Sequence, residues 1–139
     1  ILKEAQAPVI LTPHPGEMAR LCGCRVSEIV DDLRGYACSL AAQREIVCVL
    51  KDACTVVATK GRVLYPLCGN NGMATGGSGD VLDGVIAALM AQGCSPFDAA
   101  SLGVYVHGLA GDRASALLSE YSVMASDIID AIPHVLKFR

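Results

Sequence analysis

The spacing of apolar positions changes along this chain from strand-like runs to helical periods. Val9, Ile10 and Leu11, set between Pro8 and Thr12, form a short apolar run with the character of a buried strand, closed by Pro13. His14-Pro15-Gly16-Glu17 turns out of it, and Pro15 suits the first turn of a helix. That helix is predicted over about Gly16 to Leu21, with Gly23 ending it. Ser27 reads as the N-cap of a second helix reaching roughly Arg44, its middle weakened by Gly35. Ile46 to Leu50 is a continuous apolar run of strand length, as in a sheet covered on both faces. Thr55–Thr59 and Arg62–Tyr65 flank Lys60-Gly61 and read as a hairpin. A glycine-rich stretch follows. Val81, Leu82, Val85, Ile86, Leu89 and Met90 then recur at helical spacing. Gly93 ends that helix, and Ser95-Pro96 opens another that runs through Tyr105 towards Gly111. A last helix is expected near Ser126–Leu136, capped by Ser126.

The order of strand, helices, strand, hairpin and more helices is that of an α/β protein. Two strands of parallel type and a hairpin make a narrow sheet for so many helices, and an apolar sheet needs its edges satisfied. Residues 1–139 are therefore expected to be the C-terminal part of a larger α/β domain whose N-terminal half is absent. No internal repeat, low-complexity tract or interdomain linker interrupts them. Composition agrees: 53% of residues are hydrophobic and 18% charged, which excludes disorder and provides a core. With four Tyr, two Phe and no Trp, that core rests on aliphatic side chains. The net charge of −3 gives no basic footprint for nucleic acid. The odd count of seven cysteines, with Cys48 and Cys54 placed in apolar runs, points to reduced, mostly buried thiols rather than disulfides. Cys22-Gly23-Cys24 lacks a second pair at zinc spacing, so no metal site is expected. Neither a signal peptide nor a membrane-spanning run is read, and the cytoplasm is the expected compartment.

The chemistry is concentrated in Gly69–Gly84, GNNGMATGGSGDVLDG, which holds six glycines. Gly76-Gly77-Ser78-Gly79 runs into the apolar helix with no bulky side chain over its backbone N–H groups. The first N–H groups of a helix have no intrahelical partner and can face an anion. Glycine also lets a phosphate come close. Asp80, next in line, stands where a carboxylate can take a proton from a hydroxyl attacking that phosphate, or can simply favour the helix dipole. The element is not a Walker A loop, because no Gly-Lys-Ser/Thr closes it. His14 follows a buried strand, where ligands bind in α/β sheets, and can donate to a substrate oxygen or to a local carbonyl. Glu17 reads as a capping partner of that turn. Lys51 follows the second strand and can meet a nucleotide phosphate or pair with Asp52; Thr55 and neighbouring amides can touch an adenosine. His107 reads as helix packing and Asp112 as the solvation of a helix end.

Leu11-Thr12-Pro13-His14-Pro15-Gly16-Glu17-Met18-Ala19-Arg20-Leu21, together with GNNGMATGGSGDVLDGVIAAL, resembles the ADP/ATP-dependent NAD(P)H-hydrate dehydratase family. Gln92–Ala100 and Gly103–Asp112 match as well, so the likeness spans nearly the whole chain. It implies the C-terminal part of a ribokinase-like, three-layer α/β/α domain. It also implies a repair reaction on hydrated NADH and NADPH (NADHX and NADPHX), in which the C6 hydroxyl is phosphorylated by ADP or ATP and phosphate is then eliminated. Carried over by likeness, Asp80 is the catalytic base, and His14 and Asp80 contact the hydrated dinucleotide. Lys51, Asp52, Ala53, Cys54, Thr55 and Gly79 contact the adenine nucleotide. Gly76, Gly77, Ser78 and Gly79 form the anion hole, and Mg2+ accompanies the phosphates. A homo-oligomer is expected with it, and such dehydratases are often joined on their N-terminal side to an epimerase domain.

Asp52 departs from the family, which usually places a glycine after the nucleotide-contacting lysine. The segment that precedes the first strand in the family domain is also absent from this sequence. Two other readings compete. One is a ribokinase-like kinase of a small hydroxyalkyl vitamin precursor; the other is an inactive, truncated module for nucleotide binding or assembly.

Overall fold

A computed structural model describes residues 5–137. Their contacts fall into two compact units, residues 5–65 with 95–100, and residues 66–94 with 101–137.

The first unit is built on a four-stranded mixed sheet in the order β1 (Ile10–Leu11), β2 (Val47–Leu50), β3 (Val56–Thr59) and β4 (Arg62–Leu64). β1 and β2 run parallel, with Ile10 opposite Val47 and Leu11 opposite Cys48. A parallel pair needs a long crossover, and α1 (Pro15–Cys22), α2 (Val26–Asp31) and α3 (Leu33–Arg44) supply it. β2, β3 and β4 are antiparallel neighbours. The hairpin turn is Lys60-Gly61, as its sequence indicates, and Gly61 adopts φ 84°. Met18, Ile29, Ala37, Leu40 and Ala41 from the helices pack with Cys48, Leu50, Val56 and Ala58 from the sheet. Val47, Val49 and Val57 at the alternate positions are buried too, as the unbroken apolar run of β2 required. Arg62 lies 4.0 Å from the centroid of the Phe97 ring and 3.8 Å from the Asp98 carboxylate.

The single helix expected over Ser27–Arg44 is two helices. Asp32 leaves the helical region at φ −145°, ψ 63° and its carboxylate accepts the Gly35 N–H at 2.8 Å, starting α3 afresh. Ser27 therefore lies inside α2, whose N-cap is Arg25. A Cβ on Gly35 would overlap the Asp32 carboxylate as it stands, so a larger residue there would need that side chain to turn.

The second unit holds a 3-10 turn at Asn71–Met73, α4 (Ser78–Ala91) and α6 (Ala125–Val135). It also holds all but the first turn of α5 (Pro96–Leu118), which runs past Gly111 for two further turns. Ala110, Ala114, Val123, Ile128 and Ala131 form its core, with Met73, Val81, Ile132 and Val135 packed against them. α6 starts one residue before its expected cap. The N–H of Met124 donates to Asp127 Oδ2 at 2.8 Å, so Ser126 is already helical. Among the described residues no helix is long and apolar enough to cross a membrane.

All seven cysteines are free, but only Cys48 is buried, its thiol pushed up to about 12 by burial. The expectation of mostly buried thiols is thus corrected. Cys54 belongs to the turn after β2 rather than to a strand, and it is exposed.

Candidate active site

The residues singled out from the sequence form two groups, one in each unit. In the first unit, His14 and Lys51 follow the carboxyl ends of the parallel strands β1 and β2, the end of an α/β sheet where ligands bind. The Lys51 N–H donates to the Pro13 carbonyl at 2.8 Å, which ties the two strand ends together beyond the last sheet pair.

His14 is the N-cap of α1. Its Nδ1 accepts the N–H groups of Gly16 at 3.0 Å and Glu17 at 3.3 Å, and Glu17 Oε2 accepts the His14 N–H at 2.8 Å. This reciprocal capping box satisfies three donors at once, and Pro15 at the first helical position contributes none. The capping role read for Glu17 holds. For His14 the consequence is chemical: with Nδ1 accepting, the neutral ring carries its proton on Nε2. That nitrogen lies 3.6 Å from Glu17 Oε1, and the side chain is 51% exposed. The His14 N–H holds the Glu17 carboxyl below its ordinary value, helped by the charges of Lys51 and Arg20 and opposed by burial.

Residues 51–55 form an open turn between β2 and β3. Asp52 is exposed, and its carboxylate accepts the N–H of Ala53 at 2.9 Å; Thr55 Oγ1 donates to the Asp52 carbonyl at 3.4 Å. The Asp52 carboxylate is thus engaged with the backbone of its own turn.

In the second unit the glycine loop enters α4. Gly77 is the N-cap, at φ 87° in the left-handed region that glycine tolerates. It brings no side chain, and no side chain caps α4. A Cβ built on Gly76 would meet nothing within 4 Å. The N–H groups of the first turn, Gly79 and Asp80 among them, therefore begin the helix uncapped, the condition for an anion site. Asp80 is exposed in that first turn, outside any apolar enclosure. Ser78 differs from both neighbours: it is buried, and its Oγ lies 3.4 Å from Nε2 of the buried His107.

α5 holds the loop from behind. Asp112 Oδ2 accepts the Gly69 N–H at 3.0 Å, and its Oδ1 accepts Asn70 Nδ2 at 2.9 Å. Asn70 Oδ1 in turn accepts the Gly72 N–H at 3.0 Å and the Ser115 hydroxyl at 2.7 Å. Asp112 does not solvate a helix end, as the sequence had suggested; it anchors the upstream flank of the loop. A Cβ on Gly108 would collide with Cys68, and one on Gly111 with Met73, so these two glycines let the loop lie against the helix. The signal was present in the sequence: Gly108, Gly111, Asp112 and Ser115 recur at three and four residues, one small or polar face of a long helix.

The profile of the NAD(P)H-hydrate dehydratase family matches residues 2–134. The chain is 46% identical over 138 residues to the bifunctional NAD(P)H-hydrate repair enzyme Nnr of Moorella thermoacetica, covering 99% of this chain and 26% of that protein. It is 44% identical over 128 residues to the Nnr of Escherichia coli, covering 91% of this chain and 25% of that one. Among solved structures, Bacillus subtilis YxkO superposes with a TM-score of 0.90 at 36% identity, over 95% of this chain and 50% of its own. The ADP/ATP-dependent NAD(P)H-hydrate dehydratase of the same organism, crystallised with ATP and Mg2+, gives 0.88 at 37% identity, over 92% and 47%. A ribokinase-like protein of Enterococcus faecalis gives 0.80 at 31% identity. The chain thus spans about a quarter of these curated relatives and about half of the structures. Its mixed sheet and flanking helices are those of the ribokinase-like α/β/α fold. With its glycine loop, its His14 cap and a profile match over nearly its full length, the chain belongs to the NAD(P)H-hydrate dehydratase family.

Proposed function

We propose that the protein to which this chain belongs dehydrates NADHX and NADPHX at the expense of ADP or ATP, and that residues 1–139 are the C-terminal portion of its dehydratase domain. The observation that carries the reading is the uncapped first turn of α4, with exposed Asp80 beside free-standing glycine N–H groups. The B. subtilis dehydratase crystallised with ATP and Mg2+ supports the nucleotide part of it.

On this reading Asp80 takes the proton of the C6 hydroxyl as that oxygen attacks the terminal phosphoryl group. The nucleotide leaves one phosphoryl shorter. The N–H groups of Gly76, Gly77 and Gly79 stabilise the charge that develops on the moving group, an electrostatic contribution that needs no reorganisation; the Ser78 N–H, expected among them, instead donates to the Thr75 carbonyl at 3.3 Å and shapes the turn. The ring nitrogen then pushes its electron pair towards C6, the C6–O bond breaks and phosphate departs. Loss of a proton from C5 restores the double bond. His14 presents Nε2–H to the hydrated dinucleotide, and Lys51 to Thr55, with Gly79, hold the adenine nucleotide.

Among the described residues no group of three metal-ligating side chains is assembled. Magnesium fits only as an ion carried on the nucleotide phosphates with its own waters. There it would neutralise phosphate charge.

The test is to supply NADHX with ADP or ATP and follow the NADH absorbance band. Return of that absorbance with release of phosphate supports the dehydratase; a stable phosphorylated product from a hydroxyalkyl heterocycle would indicate the small-molecule kinase instead. Asp80→Asn should lower turnover by about a hundredfold or more while leaving nucleotide affinity in place. Undiminished turnover would sink the assignment of the base.

A further inference from the structure

We infer that His107 is a positioning residue for the phosphoryl-binding turn: through Ser78 Oγ it fixes the first residue of α4, and so the orientation of the Gly79 N–H and the Asp80 carboxylate. The inference rests on the function proposed above and assigns that site a residue outside its contact set.

The turn has little else to hold it. Gly76 and Gly77 are exposed, Gly77 is in the left-handed region, and a Cβ on Gly76 would touch nothing. Gly77 has the Ala125 methyl 3.3 Å from where a Cβ would stand, and Gly76 has nothing; chain without side chains has the widest choice of dihedrals. Against that freedom stand the Ser78 N–H, which donates to the Thr75 carbonyl at 3.3 Å, and the Ser78 hydroxyl, 3.4 Å from His107 Nε2. Ser78 and His107 are the two buried polar residues among the described ones, at 6% and 7% exposure. A buried hydroxyl and a buried imidazole must be partnered, and each can donate or accept, so the pair can form with either ring tautomer. Without His107, the serine hydroxyl at the start of a helix would be free to bond the local backbone, as serine does at helix ends.

The same helix secures the other flank. Asp112, five residues after His107 on α5, fixes Gly69 and Asn70. α5 thus holds the loop at both its ends and leaves Gly76 and Gly77 open between them. A misplacement of reacting groups by about 1 Å can cost up to about a hundredfold in rate, so a buried contact one residue from Gly79 is well placed to matter.

The experiment compares Ser78→Ala, His107→Leu, His107→Gln and the Ser78→Ala/His107→Leu double variant with the wild-type protein. It measures kcat, the KM for nucleotide, and amide hydrogen exchange at Gly79 and Asp80. Ser78→Ala and His107→Leu should each lower kcat about tenfold or more, with KM for nucleotide changed less than about threefold, and both should speed exchange at the two amides. The double variant should be no worse than His107→Leu, because the contact that Ser78→Ala removes is already lost when His107 is replaced. His107→Gln, whose amide nitrogen reaches the place of Nε2, should recover most of kcat and of the exchange protection. If His107→Leu does not fold, Ser78→Ala and His107→Gln decide. Unchanged kcat and exchange in Ser78→Ala, additive losses in the double variant, or no recovery with glutamine would overturn the inference. A wild-type protein without turnover would instead fail the functional reading, and hydrogen exchange would still decide the pairing.

Discussion

His14 and Glu17 together show how one turn serves both stability and chemistry. The imidazole uses Nδ1 to accept two backbone donors, which fixes the ring and leaves Nε2–H as its donor, 3.6 Å from Glu17 Oε1. The carboxylate of Glu17 accepts the third donor and is depressed by it. A carboxyl whose folded value lies below its unfolded one contributes stability that is present above the unfolded value and lost as pH falls through the folded one. Glu17→Gln keeps an acceptor but loses the charge. The variant should therefore be less stable at neutral pH, by under about 1 kcal/mol because the side chain is solvent-screened. That difference should close as the pH drops below 4.5, the ordinary value for the group. Thermal melts of both proteins across the acid range would check this; a gap that stays constant would show that the charge contributes nothing to the cap.

At the scale of elements, glycines separate packing from propensity. Gly84 lies within α4, and a Cβ there would meet nothing within 4 Å. Gly84→Ala should stabilise by about 0.5–1 kcal/mol through helix propensity alone. Gly108→Ala should instead cost about 1–3 kcal/mol, because the new methyl would collide with Cys68 on the loop. Denaturant midpoints of the two variants should move in opposite directions. The same contrast explains what the sequence made legible. β2, the Lys60-Gly61 hairpin, Pro15 at the start of α1 and the Gly23 stop each carry a local signal, and each lies where that signal put it. The break at Asp32 was missed because an aspartate amid helix formers declares itself as a cap only once its carboxylate turns onto Gly35. The loop and the helix start that it feeds were legible from glycine density. What anchors the loop was not, since the Asn70–Asp112 bond joins residues 42 apart and nothing local marks such a pairing.

For the molecule as a whole, the reading turns on whether this chain recognises an adenine nucleotide. A ligand that binds only the folded state stabilises it by about 2.7 kcal/mol at a hundredfold excess over Kd. In a protein whose folded domain exceeds about 150 residues each kcal/mol is worth roughly 2–4 °C, so Tm should rise by about 5–10 °C. ADP and ATP with magnesium should both be tried, and the one giving the larger shift at equal concentration is the preferred donor. Lys51→Ala should reduce the shift, because the lysine follows β2 where the nucleotide is proposed to bind. Asp80→Asn should leave the shift intact, because its carboxylate is assigned to the hydroxyl and not to the nucleotide. The net charge of −3 makes the comparison sharper: an acidic protein has no general affinity for polyphosphates, so a shift that saturates must come from a local site of backbone donors and a lysine. If neither nucleotide moved Tm, the uncapped turn of α4 would be a packing loop in this chain. If Lys51→Ala and Asp80→Asn lost the shift equally, the separation of nucleotide site from catalytic base would be wrong.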